Sequence, residues 1–338
     1  MQNYCITTDS NSDLPSSYKE KFGTTIIPQY YAFGDEVYGD EKNMPPAEFY
    51  ERMKQGELPS SMANNPAVIR EKFEQILEKG MDILHIAFSS ALSGSYNNVY
   101  VTAQELCEEY PDRKIIVLDS LNVSLAETIL VIKANHFLEK GKTLEENAAL
   151  LEEYKKHLHV QFTVDDLFHL KRGGRISGAV AAVGTALNLK PFLYVGTNGN
   201  LVSDGTSRGR KKSIRTLAER MKNTLGDAPD KTVPVGIVHG NCPEDARMAA
   251  DFVTELTGIT DIIINDISPS IGTMPALAPW ESFIMEKKRK TECAVLLFYT
   301  ARPHGCRINA AMRSYFNSVK YGSASEEHRC YLHALLLI

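Results

Sequence analysis

No apolar run in this 338-residue chain approaches the roughly 18 to 20 residues that a membrane-spanning helix needs. The first residues, Met1-Gln-Asn-Tyr-Cys-Ile6, have none of the layout of a secretory leader, so the expected location is cytoplasmic. A basic excess is also missing. Lys and Arg number 37 against 42 Asp and Glu, giving a net charge of −5, which argues against nucleic acid or an anionic bilayer as the main partner. The six cysteines show no Cys-x-x-Cys spacing, so neither a zinc site nor a disulfide framework is indicated, and no other metal or cofactor is expected. Gly-x-Ser-x-Gly is absent around Ser93, as is the Gly-x-x-x-x-Gly-Lys-Ser/Thr phosphate loop around Lys171-Arg-Gly-Gly-Arg175.

What remains is ordinary for a globular protein. With 43% hydrophobic residues, the chain has enough apolar surface for two cores. The stretch that organises it is Asp82 to Asn98. Ile83 to Phe88 reads as a buried strand running into a loop with Ser89, Ser90, Ser93, Gly94 and Ser95, ahead of a helix from Tyr96 to Glu109. Hydroxyls and amide N–H groups beside a first helical turn suit an anion, a carboxylate or a phosphate, because the helix dipole and unpaired donors favour negative charge there. The plainer reading is an N-cap by Ser93 or Ser95.

Strand, loop and helix alternate four times in the first half, which predicts βαβ units and a doubly wound, mostly parallel α/β sheet. Tyr4 to Thr8 is a strand feeding the polar turn Asp9 to Asp13, where Ser12 or Asp13 is expected to cap a helix opened by Pro15. Thr24 to Phe33 reads as one apolar strand, Pro45 to Gln55 as a helix, and Glu57 to Pro66 as a polar loop carrying Ser60 and Ser61. Lys114 to Leu118 is a further strand, with helices over 124–141 and 144–157. A second α/β region starts near residue 159. It contains the Gly-Gly-Arg loop, an apolar helix over 179–189, a basic run from Arg208 to Lys212, and strands near 191–195, 232–239 and 262–267.

Taken together, Thr8-Asp-Ser-Asn-Ser-Asp-Leu-Pro15, Ile27-Pro28, Ser89-Ser-Ala-Leu-Ser-Gly-Ser-Tyr96, Asp119-Ser120, Lys171-Arg-Gly-Gly-Arg-Ile176 and Asn188-Leu-Lys-Pro191 resemble the DegV family of bacterial fatty-acid-binding proteins over about residues 1 to 273. The resemblance implies two α/β domains, 1–158 and 159–273, holding a long-chain acyl group between them. It further implies a non-enzymatic subunit of lipid metabolism that presents the bound carboxylate to an ATP-dependent fatty acid kinase subunit. An acyl phosphate results, and membrane contact is at most transient. On the same basis Ser93, with Gly94 and Ser95 beside it, matches the carboxylate-binding serine. Ser60 and Ser61 stand at the family's Thr-Ser pair, and Arg172 and Arg175 belong to the loop that docks the kinase. Two alternatives remain open: a serine acyl-hydrolase using Ser93, and a nucleic-acid or regulatory binder using the basic residues from Arg172 to Lys212.

The chain departs from that family after Thr273. Relatives place a histidine next, in Gly-Thr-His-x-Gly-Pro-Gly, whereas this chain continues Met274-Pro-Ala-Leu-Ala-Pro-Trp280. Reading the codons for this peptide back by one base permits His-Ala-Gly-Pro-Gly-Thr-Leu-Gly-Ile-Phe-Tyr-Tyr-Gly-Lys-Lys. Residues 274–338 are therefore expected to be out-of-frame translation, with a genuine extension as the alternative. The loss of the histidine predicts weaker acid binding, and the second domain is expected to lack its last strand.

Overall fold

The computed structural model describes residues 3–164, 189–225, 230–273 and the backbone of 295–300. The chain opens with β1 (Tyr4–Asp9), a 3-10 turn (Ser10–Ser12), α1 (Ser16–Phe22) and β2 (Thr25–Ile27). Then come β3 (Tyr30–Phe33), β4 (Glu36–Tyr38), α2 (Pro46–Lys54), β5 (Pro59–Met62) and α3 (Pro66–Leu77). Next are β6 (Asp82–Ala87), α4 (Ser95–Glu109), β7 (Ile115–Asp119), α5 (Leu125–Glu139) and α6 (Leu144–Tyr154). The second half contributes β8 (Leu158–Thr163), β9 (Leu189–Val195), β10 (Leu201–Arg208), α7 (Arg210–Leu225), β11 (Val235–His239), α8 (Pro243–Thr257), β12 (Ile262–Asp266), α9 (Pro269–Gly272) and β13 (Val295–Thr300).

The fold is α/β. Strands β2, β1, β6 and β7 form one wholly parallel sheet in that order. From β1 the chain moves outward to β2 on one side and later to β6 and β7 on the other. The strand order therefore reverses between β1 and β6, and the carboxyl ends of those two strands flank the crevice where open α/β sheets take their ligands. A second, mixed sheet has the order β10, β9, β8, β13, β11, β12.

Between the sheets lies α5. Its sequence, Leu-Ala-Glu-Thr-Ile-Leu-Val-Ile-Lys-Ala-Asn, is apolar on every side, the signature of a helix covered all round. Every residue from Leu125 to Asn135 is buried. The core it organises joins Ile6, Leu84 and Ile86 of the first sheet to Val160, Leu193 and Val238 of the second.

Five expectations need correction. The apolar run 24–33 is two strands: β2 joins the parallel sheet and β3 a small antiparallel sheet with β4 and β5, the chain turning at Pro28-Gln29. Ser60 and Ser61 lie on β5 rather than in a loop, opposite Ala32 and Tyr31. Their turn-forming composition is overridden because β3 needs a partner for its backbone while its side chains join the cluster of Tyr31, Phe33, Tyr38 and Phe49. Asp13 does not cap α1, which begins after Pro15 with no side-chain cap; the carboxyl is engaged elsewhere. Finally, the central place in the second sheet is not vacant. The backbone of β13 pairs antiparallel with both β8 and β11, whose ladder groups would otherwise be left open in mid-sheet. Cys242 is also disulfide-bonded, a pairing that local cysteine spacing does not reveal.

Candidate functional site

The polar centre forms where the switch point predicts it. Beyond β6, Ser89 closes a tight turn by accepting the N–H groups of Leu92 and Ser93 at 3.1 and 3.3 Å, which sets Ser93 just before α4. The Ser93 and Ser95 hydroxyls lie 2.9 Å apart, and the Ser95 N–H donates to Ser93 Oγ at 3.2 Å. Ser95 in turn donates its hydroxyl to Gln29 Oε1 at 2.6 Å, and the Gln29 N–H donates to Ser10 Oγ at 2.9 Å. Residues following β1, β2 and β6 thus meet in one hydrogen-bonded chain. A fourth segment joins through Asn64, whose N–H donates to Ser95 Oγ at 3.4 Å and whose carbonyl accepts Asn98 Nδ2 at 2.9 Å.

Proton accounting orders this chain. An amide oxygen only accepts, so the single hydrogen of Ser95 goes to Gln29 and the hydrogen between the two serines comes from Ser93. Ser93 can turn that hydrogen toward a ligand while Ser95 Oγ keeps the Asn64 N–H. Ser93 is half-buried and Gly94 exposed, whereas Ser95 is 1% exposed. Ser93 therefore faces outward, and Ser95 and Gln29 form its support.

The sequence-predicted residues separate accordingly. Ser93, Gly94 and Ser95 come together at the start of α4. Ser60 and Ser61 are half-buried on β5; three residues of chain join Ser61 to Asn64, a span of roughly 10 Å at most. Ser89 is fully buried and donates to the Gly199 carbonyl at 3.0 Å, tying this loop to the β9–β10 hairpin. Arg172 and Arg175 lie outside the described residues, as does the apolar helix over 179–189. In the basic run, Arg210 is committed to Asp245 at 2.7 Å. A cavity of about 370 Å³ elsewhere, bordered by His159, Tyr194 and Arg220, involves none of the site serines.

Beneath the hydroxyls lies a group of carboxyls, of which the sequence marked only Asp13, and that as a helix cap. Asp9, at the end of β1, accepts the N–H groups of Asn11 and Phe88 at 2.9 and 2.8 Å. Burial pushes it up to about 7, against the pull of those two N–H groups and of the Gln29 amide. Asp13 is likewise raised to about 7 by burial, although Ser124 and Ser268 hydrogen-bond it. Glu127 of α5 is raised well above the ordinary carboxylate range, first by burial and then by Asp9; it accepts the Thr8 hydroxyl at 2.6 Å. A lone Glu in an otherwise apolar helical run was the available signal. Asp13 also joins the two halves: its Oδ1 accepts the Ser268 N–H at 3.0 Å, and its carbonyl accepts Asn265 Nδ2 at 2.8 Å.

His85 is not a candidate for catalysis at Ser93. His85 is fully buried in β6 against Thr7 Oγ1 at 2.9 Å, and burial lowers it to about 3. His239 ends β11 beside Asp266. Among the described residues no group of acidic, His and Cys side chains could hold a metal ion, and no helix is long and apolar enough to cross a membrane.

The family described as "Uncharacterised protein, DegV family" matches residues 3–274. The chain belongs to the DegV family. The match ends one residue past Thr273, where the sequence leaves the family pattern. A DegV domain-containing protein of Clostridium perfringens is 35% identical over 84% of this chain and 98% of that protein. One from Lactococcus lactis is 32% identical over 79% of this chain and 92% of its own length. Among solved structures, DegV of Bacillus subtilis, described as a fatty acid binding protein, is 26% identical with a TM-score of 0.71, covering 89% of this chain and 100% of that one. A DegV family protein from Eubacterium eligens loaded with heptadecanoic acid has a TM-score of 0.74 at 17% identity, covering 88% of this chain and 100% of that one. At that identity the likeness is one of fold.

Proposed function

We propose that this DegV family member binds a long-chain fatty acid, with the carboxylate at Ser93, Gly94 and Ser95 and with Ser60 and Ser61 closing the site from β5. In its finer form the proposal has the bound carboxylate presented to an ATP-dependent fatty acid kinase subunit that docks at Arg172 and Arg175. The observation that carries it is the meeting of Ser10, Gln29, Asn64, Ser93 and Ser95 at the start of α4, beside the β1/β6 switch point. Hydroxyls and amides hold a carboxylate by hydrogen bonds alone and leave one oxygen free to attack a phosphate brought by a partner. The acyl tail adds affinity at about 0.8 kcal/mol per buried CH₂, before ordering costs. The fatty-acid-binding relatives support the ligand class.

An acyl-hydrolase finds less support, because Ser93 Oγ meets the hydroxyl and N–H of Ser95 rather than a base. Delipidated protein titrated with palmitate is expected to form a one-to-one complex. Ser93→Ala is expected to weaken it about tenfold or more, from the roughly 1.5–3 kcal/mol of a hydrogen bond to a charged group. Absence of binding across saturated and unsaturated acids of 14 to 18 carbons would overturn the reading. Adding a kinase subunit and ATP, and trapping acyl phosphate with hydroxylamine, tests the presentation step separately.

A further inference from the structure

Asn64 is 2% exposed, yet neither Oδ1 nor Nδ2 of its side chain has a hydrogen-bond partner. Buried amides in native proteins are almost always satisfied, and an orphaned pair in one side chain calls for an explanation. Helix capping does not provide it, because the neighbouring Asn65 caps α3 by accepting the Ala67 N–H at 3.0 Å. Backbone bracing does not provide it either. The Asn64 N–H and carbonyl are held by Ser95 Oγ and Asn98 Nδ2, and any residue type except proline would make those two bonds. The same bonds hold the Asn64 backbone against Ser95, the residue that supports Ser93.

Resting on the fatty-acid reading above, we infer that Asn64 is a further head-group ligand: its side-chain amide hydrogen-bonds the carboxyl of the bound acid alongside the Ser93 hydroxyl. An amide suits this place chemically. Its nitrogen donates to a carboxylate oxygen, and its oxygen accepts the O–H of a protonated acid or of Ser93 once that hydroxyl has turned. No charge is buried in the empty site. Nor is any added to the group of raised carboxyls nearby.

Palmitate affinity and ligand-free melting temperature are to be measured for the wild type, Asn64→Ala, Asn64→Asp and Ser93→Ala. Asn64→Ala is expected to weaken palmitate about tenfold while leaving the ligand-free melting temperature unchanged or higher, because it removes two unsatisfied polar atoms. Asn64→Asp is expected to weaken it by a further order of magnitude above neutral pH, through repulsion between like charges. Hexadecane, which has no polar head group, should be affected by neither change. Palmitate affinity unchanged in both Asn64 variants while Ser93→Ala binds weakly would overturn the inference and leave the fatty-acid reading standing. A lowered ligand-free melting temperature with unchanged affinity would make Asn64 structural. No palmitate binding by the wild type would overturn both.

Discussion

A hydroxyl has one hydrogen to give, and at Ser95 it goes to Gln29. That commitment leaves Ser93 as the hydroxyl able to turn toward a ligand, on a support of buried side chains. The carboxyls below the support impose a distinct pH dependence. Asp9 and Asp13 titrate near 7 in the folded protein and near the ordinary 3.9 or so when unfolded, so between those values the folded state binds more protons. Their contribution to stability therefore falls as pH rises from about 4 to about 7 and levels off above that, the reverse of a salt-bridged aspartate. Buried His85, lowered to about 3, acts in the opposite sense below about 6.5, so the test is a comparison: between pH 5.5 and pH 8 the melting temperature of the wild type is expected to fall relative to that of Asp13→Asn. A wild-type minus Asp13→Asn difference that is constant over this window would contradict the assignment.

At the scale of elements, the β9–β10 hairpin shows how closely the second sheet's loops rest on the site. Gly199 has φ +77°, and a Cβ there would sit 2.3 Å from Ser89 Oγ and 3.1 Å from Leu121 Cα. Gly199→Ala is therefore expected to cost about 2 kcal/mol, read as a melting temperature several degrees lower, with Gly205→Ala, also at positive φ but in open space, costing less. Helix α5 was legible as a helix from its sequence, but the burial of Leu125 to Asn135, Glu127 and Lys133 included, was not, because it needs both sheets in place. Strand β5 was not legible: Pro59-Ser-Ser-Met62 has turn composition, and only pairing with β3 makes it a strand. The strand-end serine loop was legible because its signal is local, hydroxyls beside the start of an amphipathic helix. Gln29 and Asn64 were hidden, since each lies far along the chain from Ser95 and nothing in the intervening residues encodes their meeting.

For the whole molecule, the two sheets are joined through charge as well as through α5. Lys133 of α5 donates to Asp230 and Thr232 at 2.7 Å each, in the segment leading to β11. Burial alone would raise Asp230, but Lys133 and Thr232 outweigh it and hold the carboxyl down at about 2. Lys133→Met is expected to destabilise the protein by about 3 kcal/mol in chemical denaturation, because removing one partner strands a mostly buried carboxylate. We infer that residues 274–338 arise from a single-base frameshift just before Met274, a reading that the end of the family match at 274 supports. Sequencing the nucleic acid through the Thr273 codon decides it, and an intact frame encoding Met274 would refute it. Whatever their origin, residues 295–300 lie between β8 and β11. Truncation after Thr273 should therefore increase amide exchange at 158–163 and 235–239; unchanged protection there would show that the sheet does not need this strand.

By itself the sequence determined what is written in neighbouring residues: the α/β class from alternating strands and helices, the helix over α5, and the hydroxyl-rich turn that sets Ser93 just before a helix. The tertiary structure decided what depends on residues distant in sequence becoming adjacent. It placed Ser95 with Gln29 and Asn64, buried Asp9, Asp13 and Glu127 together, made Ser60 and Ser61 part of a strand, and set the backbone of 295–300 in the middle of a sheet. The physical reason is that a hydrogen bond or a desolvated charge is a property of a pair or an enclosure, and neither exists until the chain has closed around it.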